Sequence, residues 1–180
     1  MRTLAAKLFC KMAHGDQKRK YTGDPYYTHP FAVAEIIFWH TDHSRSSDVY
    51  IAALLHDVLE DTNAKPWMIR ALFGKRVLDL VLQVTDVSIS PDENGYSPDG
   101  NRKARKQKDL EHLAKADADG QTIKLADLIH NSSTVTKYDP DFAKVYMKEK
   151  ERLLRVLTKG NNELWIKAKK MIENYKEFGY

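Results

Sequence analysis

The sequence predicts an all-α fold, and three observations carry that prediction. Apolar residues recur at helical spacing along most of the chain, as with Leu4, Ala5, Leu8, Phe9 and Met12. Turn and cap residues, such as Gly23-Asp24-Pro25, Gly74, Asp139-Pro140 and Gly160-Asn161-Asn162, fall between the periodic segments. No β-hairpin signal and no internal repeat appears. The periodicity fits seven to nine helices. A chain of 180 residues with 42% hydrophobic content can bury one core, so residues 1–180 are read as a single domain.

Taken in order, the first helix runs to about Gln17. The stretch KRKYTGDPYYTHP follows, and Pro25 and Pro30 interrupt any helix there. Pro30 suits the first turn of the next helix, which Ala32–His40 continues and which places His29 at its entrance. A lone histidine at such a place is more often a cap or a surface residue than a ligand. Ser46 or Ser47 can cap a central helix, Asp48 complements its dipole, and Thr62 and Asn63 end it. Another helix starts near Asn63 or Ala64, with Pro66 near its first position and Gly74 as its C-cap. Val77–Thr85 is helical, with Leu78, Val81 and Leu82 on one side. Residues 86–100 are rich in Ser, Pro, Asp, Asn and Gly, and are expected to form a mobile loop too long for a mere connection. Asn101 begins a basic helix reaching about Lys115. Thr122–Lys137, Phe142–Leu157 and Leu164–Phe178 complete the set, the last two carrying packing residues and no chemical constellation.

Composition narrows the function. A net charge of +4 favours anionic partners, whether nucleotides, nucleic acid or acidic lipids. The single cysteine, Cys10, excludes an internal disulfide framework and suits a reducing compartment, where it would be a small core side chain. No apolar run approaches membrane-spanning length. The N-terminal stretch lacks a long apolar signal core and a clear cleavage site, so a cytoplasmic protein is expected. The basic run NRKARKQK has no aromatic residue, which argues against a stacking platform for single-stranded nucleic acid. No nucleic-acid partner is expected, and the oligomeric state is left open.

The stretch Ala52–Thr62, AALLHDVLEDT, carries the densest chemistry. On a continuous helix His56, Asp57, Glu60 and Asp61 would share an arc of roughly 140°. Ile51, Leu54, Leu55, Val58 and Leu59 would fill the other side. A solvated acidic face is one explanation; a metal site with acid/base residues beside it is the sharper one. Further on, Lys124, Asp127, Asn131 and Thr134 share an arc of roughly 80°, which alone would be an ordinary amphipathic helix.

Three blocks, RKYTGDPYYTHPFAVAEI, AALLHDVLEDT and IKLADLIHN, together resemble the (p)ppGpp hydrolase domain of RelA/SpoT-type enzymes, a branch of the HD-domain metal phosphohydrolases. An HD pair alone is weak; HD-x-x-ED with PYYTHP and IKLAD is specific in combination. The chain thus looks like a small stand-alone alarmone hydrolase built as one HD-domain helical bundle. The resemblance implies a divalent metal, most simply Mn²⁺, held by His29, His56, Asp57 and Asp127. It implies Glu60 and Asp61 as the pair that handles the attacking water. Arg19 and Lys20 match guanine-contacting positions, and Asn131 and Thr134 match nucleotide-contacting ones. Arg102, Lys103, Arg105, Lys106 and Lys124 are candidate phosphate contacts, a solvated face being the alternative for the run. Residues 86–100 and the NRKARKQK run depart from the long bifunctional enzymes, and synthesis of the alarmone is not expected.

Two imidazoles and two carboxylates suit a manganese-class ion, which tolerates mixed N/O ligands. The implied reaction removes pyrophosphate from the 3′ position of guanosine 3′,5′-bis(diphosphate), or of its pentaphosphate form, giving GDP or GTP. The alternatives are an HD-type phosphohydrolase acting on the NADPH 2′-phosphate or on a nucleoside monophosphate, a nucleotide-binding module without turnover, and a nucleic-acid-binding protein suggested by charge alone.

Overall fold

A computed structural model describes residues 1–92 and 94–179. Among these residues there are ten helices and no strand. They are α1 (Arg2–His14), α2 (Thr28–His40), α3 (Asp48–Leu55), α4 (Val58–Asp61) and α5 (Pro66–Phe73), followed by α6 (Lys75–Val84), α7 (Arg102–Lys115), α8 (Ala118–Tyr138), α9 (Pro140–Leu154) and α10 (Asn162–Phe178). The cap residues explain most boundaries. Ser47, Asn101, Asp117, Asp139 and Asn161 each accept a backbone N–H from the first turn that follows them. Gly74 ends α5 and enters α6 at φ 91°, a backbone angle that favours glycine.

Three expectations need correction. The central helix is not continuous. It breaks at His56–Asp57 into α3 and α4, which raises the count above nine. The His56 ring explains the break, because its Nδ1 reaches the Ala53 carbonyl at 2.8 Å and competes for an acceptor of the helical ladder. Nor is α3 amphipathic: Val49 to Leu55 are all buried, as befits a helix inside the bundle. Helix α1 ends at His14, short of Gln17, and it buries Ala6, Cys10 and His14 while Leu4, Leu8 and Met12 of the periodic set stay exposed.

Helix α8 is the axis of the bundle. It packs against α2, α3, α6, α9 and α10, and Ile123, Leu125, Ala126 and Leu128 are buried along it. Its start, at Ala118, is earlier than the Thr122 expected from periodicity, because Asp117 caps it through Gly120 N–H. The α9–α10 link is clipped to α8: Gln121 Oε1 accepts Lys159 N–H at 2.8 Å and Thr122 Oγ1 accepts Asn161 N–H at 2.9 Å. Gly160 lies between these bonds, where an added Cβ would meet the Leu125 side chain at 2.7 Å. Before α2 the chain doubles back on itself. Lys18 and Pro25 form an antiparallel bridge and Gly23, at φ 73°, makes the reversal. This local pairing brings Arg19 against Tyr26, and no hairpin signal announced it.

Residues 86–100 do form a loop. Glu93 lies outside the described residues. The remainder is tied down by carboxylates: Val87 N–H, Ser88 N–H and Ser88 Oγ–H donate to buried Asp109, and Ile89 N–H donates to Asp99. No described helix is long and apolar enough to cross a membrane.

Candidate metal centre

The first turn of α2, the α3–α4 break and the middle of α8 meet at one point. His29, His56 and Asp57 place donor atoms within 4.8 Å of one another. Asp127 adjoins this group, with Oδ1 at 3.2 Å from His29 Nε2 and 3.9 Å from His56 Nε2. The Asp57 oxygens lie 3.0 Å from His56 Nε2 and 3.4 Å from His29 Nε2. All four residues are buried.

The donors are oriented from behind. His56 Nδ1–H is committed to the Ala53 carbonyl, so Nε2 faces the cluster, buried and without an aligned hydrogen bond although Asp57 Oδ1 lies 3.0 Å away. Tyr26 Oη–H donates to Asp57 Oδ2 at 2.9 Å. Tyr26 is itself stacked on buried His14, ring centroids 4.6 Å apart. Asn131 Nδ2–H donates to Asp127 Oδ1 at 2.6 Å, and Lys124 Nζ sits 3.2 Å from Asp127 Oδ2. His29 Nδ1 lies 2.8 Å from His130 Nδ1. A buried imidazole nitrogen with no aligned hydrogen bond, among two carboxylates and a second imidazole, matches the chemistry of a divalent-ion donor set. These residues fit such an ion.

Charge in the centre is tightly coupled. Burial opposes charge on His56, yet Asp57 outweighs it and lifts the imidazole to about 9. A metal binding there would displace a proton. Burial also disfavours the Asp57 and Asp127 carboxylates. Both are nonetheless held below the usual range, Asp57 by His56 and His29, Asp127 chiefly by Lys124. His130 is pushed down to about 4 by burial and then by His29.

Glu60 and Asp61, on α4, stand at the wall of an adjoining polar cleft of about 440 Å³. Asp86, Ser88, Ser90, Arg102, Arg105 and Lys106 complete its lining. Desolvation at the cleft wall lifts Glu60 to about 7, although the residue as a whole is exposed; Lys124 opposes the shift, while Asp86 and Asp57 add to it. Asp86 N–H donates to Glu60 Oε1 at 2.6 Å and so fixes that carboxylate.

The cations are not gathered in one place. Arg102, Arg105 and Lys106 line the cleft, each also engaged by the protein: Arg102 by Glu149, Arg105 by the Gly100 carbonyl and Lys106 by Asp86 and Asp109. Lys103 is exposed and is not part of that lining. Lys124 lines a smaller cavity of about 80 Å³ with Lys106 and Lys150, behind Asp127. On the other side of the centre, Arg19 donates to Asn131 Oδ1 at 2.9 Å and lies over the Tyr26 ring. Lys20 is exposed, near Asp139. Thr134, half-buried, donates to the His130 carbonyl. Arg19 and Asn131 therefore meet each other beside Asp127, while Lys20 and Thr134 lie further out.

Tyr26, His130, Asp86 and His14 escaped the sequence reading as site residues. The first two had a detectable signal, since each sits within three residues of a predicted ligand. Asp86 and His14 had none, because only the fold brings them to the site.

Comparison with known proteins fits this geometry. A family profile described as HD domain matches residues 5–156. A Mycoplasma pneumoniae protein named probable guanosine-3′,5′-bis(diphosphate) 3′-pyrophosphohydrolase is 32% identical over 147 residues, 78% of this chain and 19% of that protein. The bifunctional (p)ppGpp synthase/hydrolase SpoT of Escherichia coli is 35% identical over 76% of this chain and 18% of its own length. The chain thus spans less than a fifth of these long relatives. Xenopus tropicalis MESH1, named guanosine-3′,5′-bis(diphosphate) 3′-pyrophosphohydrolase, is 32% identical over 77% of this chain and 72% of its own length. A solved structure titled as a metazoan ortholog of SpoT that hydrolyzes ppGpp superposes with a TM-score of 0.82 at 27% identity, covering 99% of this chain and 96% of that one. Because the profile matches residues 5–156, well over half of the sequence and including His29, His56, Asp57 and Asp127, the chain belongs to the HD-domain family.

Proposed function

We propose that this chain is a metal-dependent hydrolase of guanosine 3′,5′-bis(diphosphate) and its pentaphosphate form, releasing pyrophosphate from the 3′ position to leave GDP or GTP. In this proposal residues 1–180 act as one hydrolase domain, and His29, His56, Asp57 and Asp127 hold one divalent ion, Mn²⁺ being the first choice. The observation that carries it is the convergence of two imidazoles and two carboxylates beside Glu60 and Asp61, at the wall of a cleft rimmed by cations. The names of the similar proteins support the substrate class.

The bound ion would supply a Lewis acid that polarises a phosphate oxygen and acidifies a water molecule. The chain's own residues do the rest. Glu60, lifted to about 7 and held by the Asp86 amide, suits a base that takes a proton near neutral pH. Asp61 stands next to it to orient the water. Arg102, Arg105 and Lys106, with Lys103 and Lys124 adding to the field, offset the charge of the departing pyrophosphate. Arg19 and Lys20 meet the base, and Asn131 and Thr134 the ribose side; the planar Arg19 guanidinium suits stacking.

The test is direct. Protein stripped of metal is incubated with Mn²⁺ and a panel of ppGpp, pppGpp, NADPH and nucleoside monophosphates, and products are separated by chromatography. Pyrophosphate with GDP or GTP, formed only with metal, is expected. Inorganic phosphate from NADPH or a monophosphate would move the activity to another nucleotide. Binding of ppGpp without any turnover would make the chain a nucleotide-binding module.

A further inference from the structure

We infer that His130 is a positioning residue for the metal centre: it accepts the Nδ1 proton of His29 and so fixes the tautomer in which His29 Nε2 offers its lone pair. This rests on the proposed role of His29 as a metal ligand. The two Nδ1 atoms lie 2.8 Å apart, and a contact of that length between two ring nitrogens holds one proton between a donor and an acceptor. His29 Nε2 faces Asp57 Oδ2 at 3.4 Å and Asp127 Oδ1 at 3.2 Å. If His130 donated instead, a neutral His29 would carry its proton on Nε2, pointing at the carboxylates and blocking coordination. An ion bound at Nε2 therefore requires His29 Nδ1–H, and His130 must then be the acceptor, with its own proton on Nε2. His56 meets the same requirement with the Ala53 carbonyl, which can only accept. His130 differs in being a side chain that can take either role, so the tautomer of one ligand is set by one replaceable residue. Its place on α8, one helical turn after Asp127, makes the same helix deliver a ligand and the orienter of another.

The experiment compares Mn²⁺ affinity, by calorimetry with the metal alone, in the parent, His130→Leu and His130→Asn. Leucine keeps apolar bulk and loses the acceptor; the asparagine amide oxygen can stand near the position of Nδ1. Loss of such an orienting partner costs about 10–100-fold in metal affinity. His130→Leu should show that loss and His130→Asn should recover most of it, with thermal melting confirming that both are folded. Equal affinity in parent and His130→Leu would overturn the inference, as would an Asn variant as weak as the Leu variant. The parent's own titration separates this from failure of the centre: if it binds no Mn²⁺, the metal site falls and the inference with it. A second measurement needs no variant. In Zn²⁺-loaded parent with ¹⁵N-labelled histidine, His130 should be protonated at Nε2 and bare at Nδ1; the reverse would overturn the assignment.

Discussion

Glu60 and Asp57 lie three residues apart and are pushed in opposite directions. Desolvation at the cleft wall, with Asp86 and Asp57 nearby, outweighs Lys124 and the Asp86 amide and lifts Glu60 to about 7. Asp57 is buried more deeply, yet two imidazoles beside it keep it ionised. Separation of this kind gives neighbouring carboxylates different tasks. Glu60 is useful as a base only when deprotonated, so kcat/KM should rise with pH through about 7 and then level off. The Glu60→Gln variant should lack that limb; a parent profile flat across about pH 6–8 would assign the base elsewhere. Replacing Glu60 by Gln and Asp61 by Asn together preserves shape while removing basicity. That double variant should keep its Mn²⁺ and its ppGpp binding while losing roughly 10²–10⁴-fold in turnover. Metal lost along with activity would show that one of the pair is a ligand. Arg19→Ala removes a cation that meets Asn131 and the Tyr26 ring. It should chiefly raise KM, and a fall in kcat at constant KM would refute a recognition role.

Between elements, the decisive feature is the break that separates α3 from α4. That His56 and Asp57 would gather with His29 was legible in the sequence, because HD-x-x-ED sits in a specific surrounding pattern. The break was not legible, since periodicity sees an uninterrupted helix and cannot see the His56 ring taking the Ala53 carbonyl. The side chains that line the cleft from residues 86–90 were also hidden, because their placement depends on one buried carboxylate far along the chain. Asp109 accepts from Val87 N–H, Ser88 N–H and Ser88 Oγ–H, and Lys106 lies 3.2 Å from it. Asp109→Ala strands those donors, at a cost of roughly 1–3 kcal/mol. Hydrogen exchange should accelerate at Val87 and Ser88, and KM should rise more than kcat falls. Unchanged exchange there would mean the segment is held by something else. Gly160 presents a parallel case in packing. An added Cβ meets Leu125 at 2.7 Å and Gln121 backbone at 3.1 Å, so Gly160→Ala should destabilise the bundle by about 1–3 kcal/mol in urea unfolding.

At the scale of the whole molecule, the fold class was legible because helical periodicity, caps and breakers all agree, and agreement across levels is what specifies a fold. What composition could not reveal is that the protein's interior carries so much charge. His29, His56, Asp57, Lys124 and Asp127 are all buried at the meeting of α2, the α3–α4 break and α8. These groups offset one another: Asp57 favours charge on the His56 imidazole against burial, and Lys124 Nζ faces Asp127 at 3.2 Å. An ion that replaces the His56 proton would tie three segments distant in sequence to a single point. Unfolding would then have to release it, so binding becomes folding free energy. At a hundredfold excess over the dissociation constant the gain is about 2.7 kcal/mol. For a domain of this size that corresponds to a rise in Tm of about 5–10 °C. Scanning calorimetry with graded Mn²⁺ should show this rise, and a chelator should reverse it. His56→Ala should melt at a Tm independent of Mn²⁺, because the remaining donors lose the imidazole that faces them. A parent whose Tm ignores the metal, or a His56→Ala variant that responds as the parent does, would remove the ion from this junction.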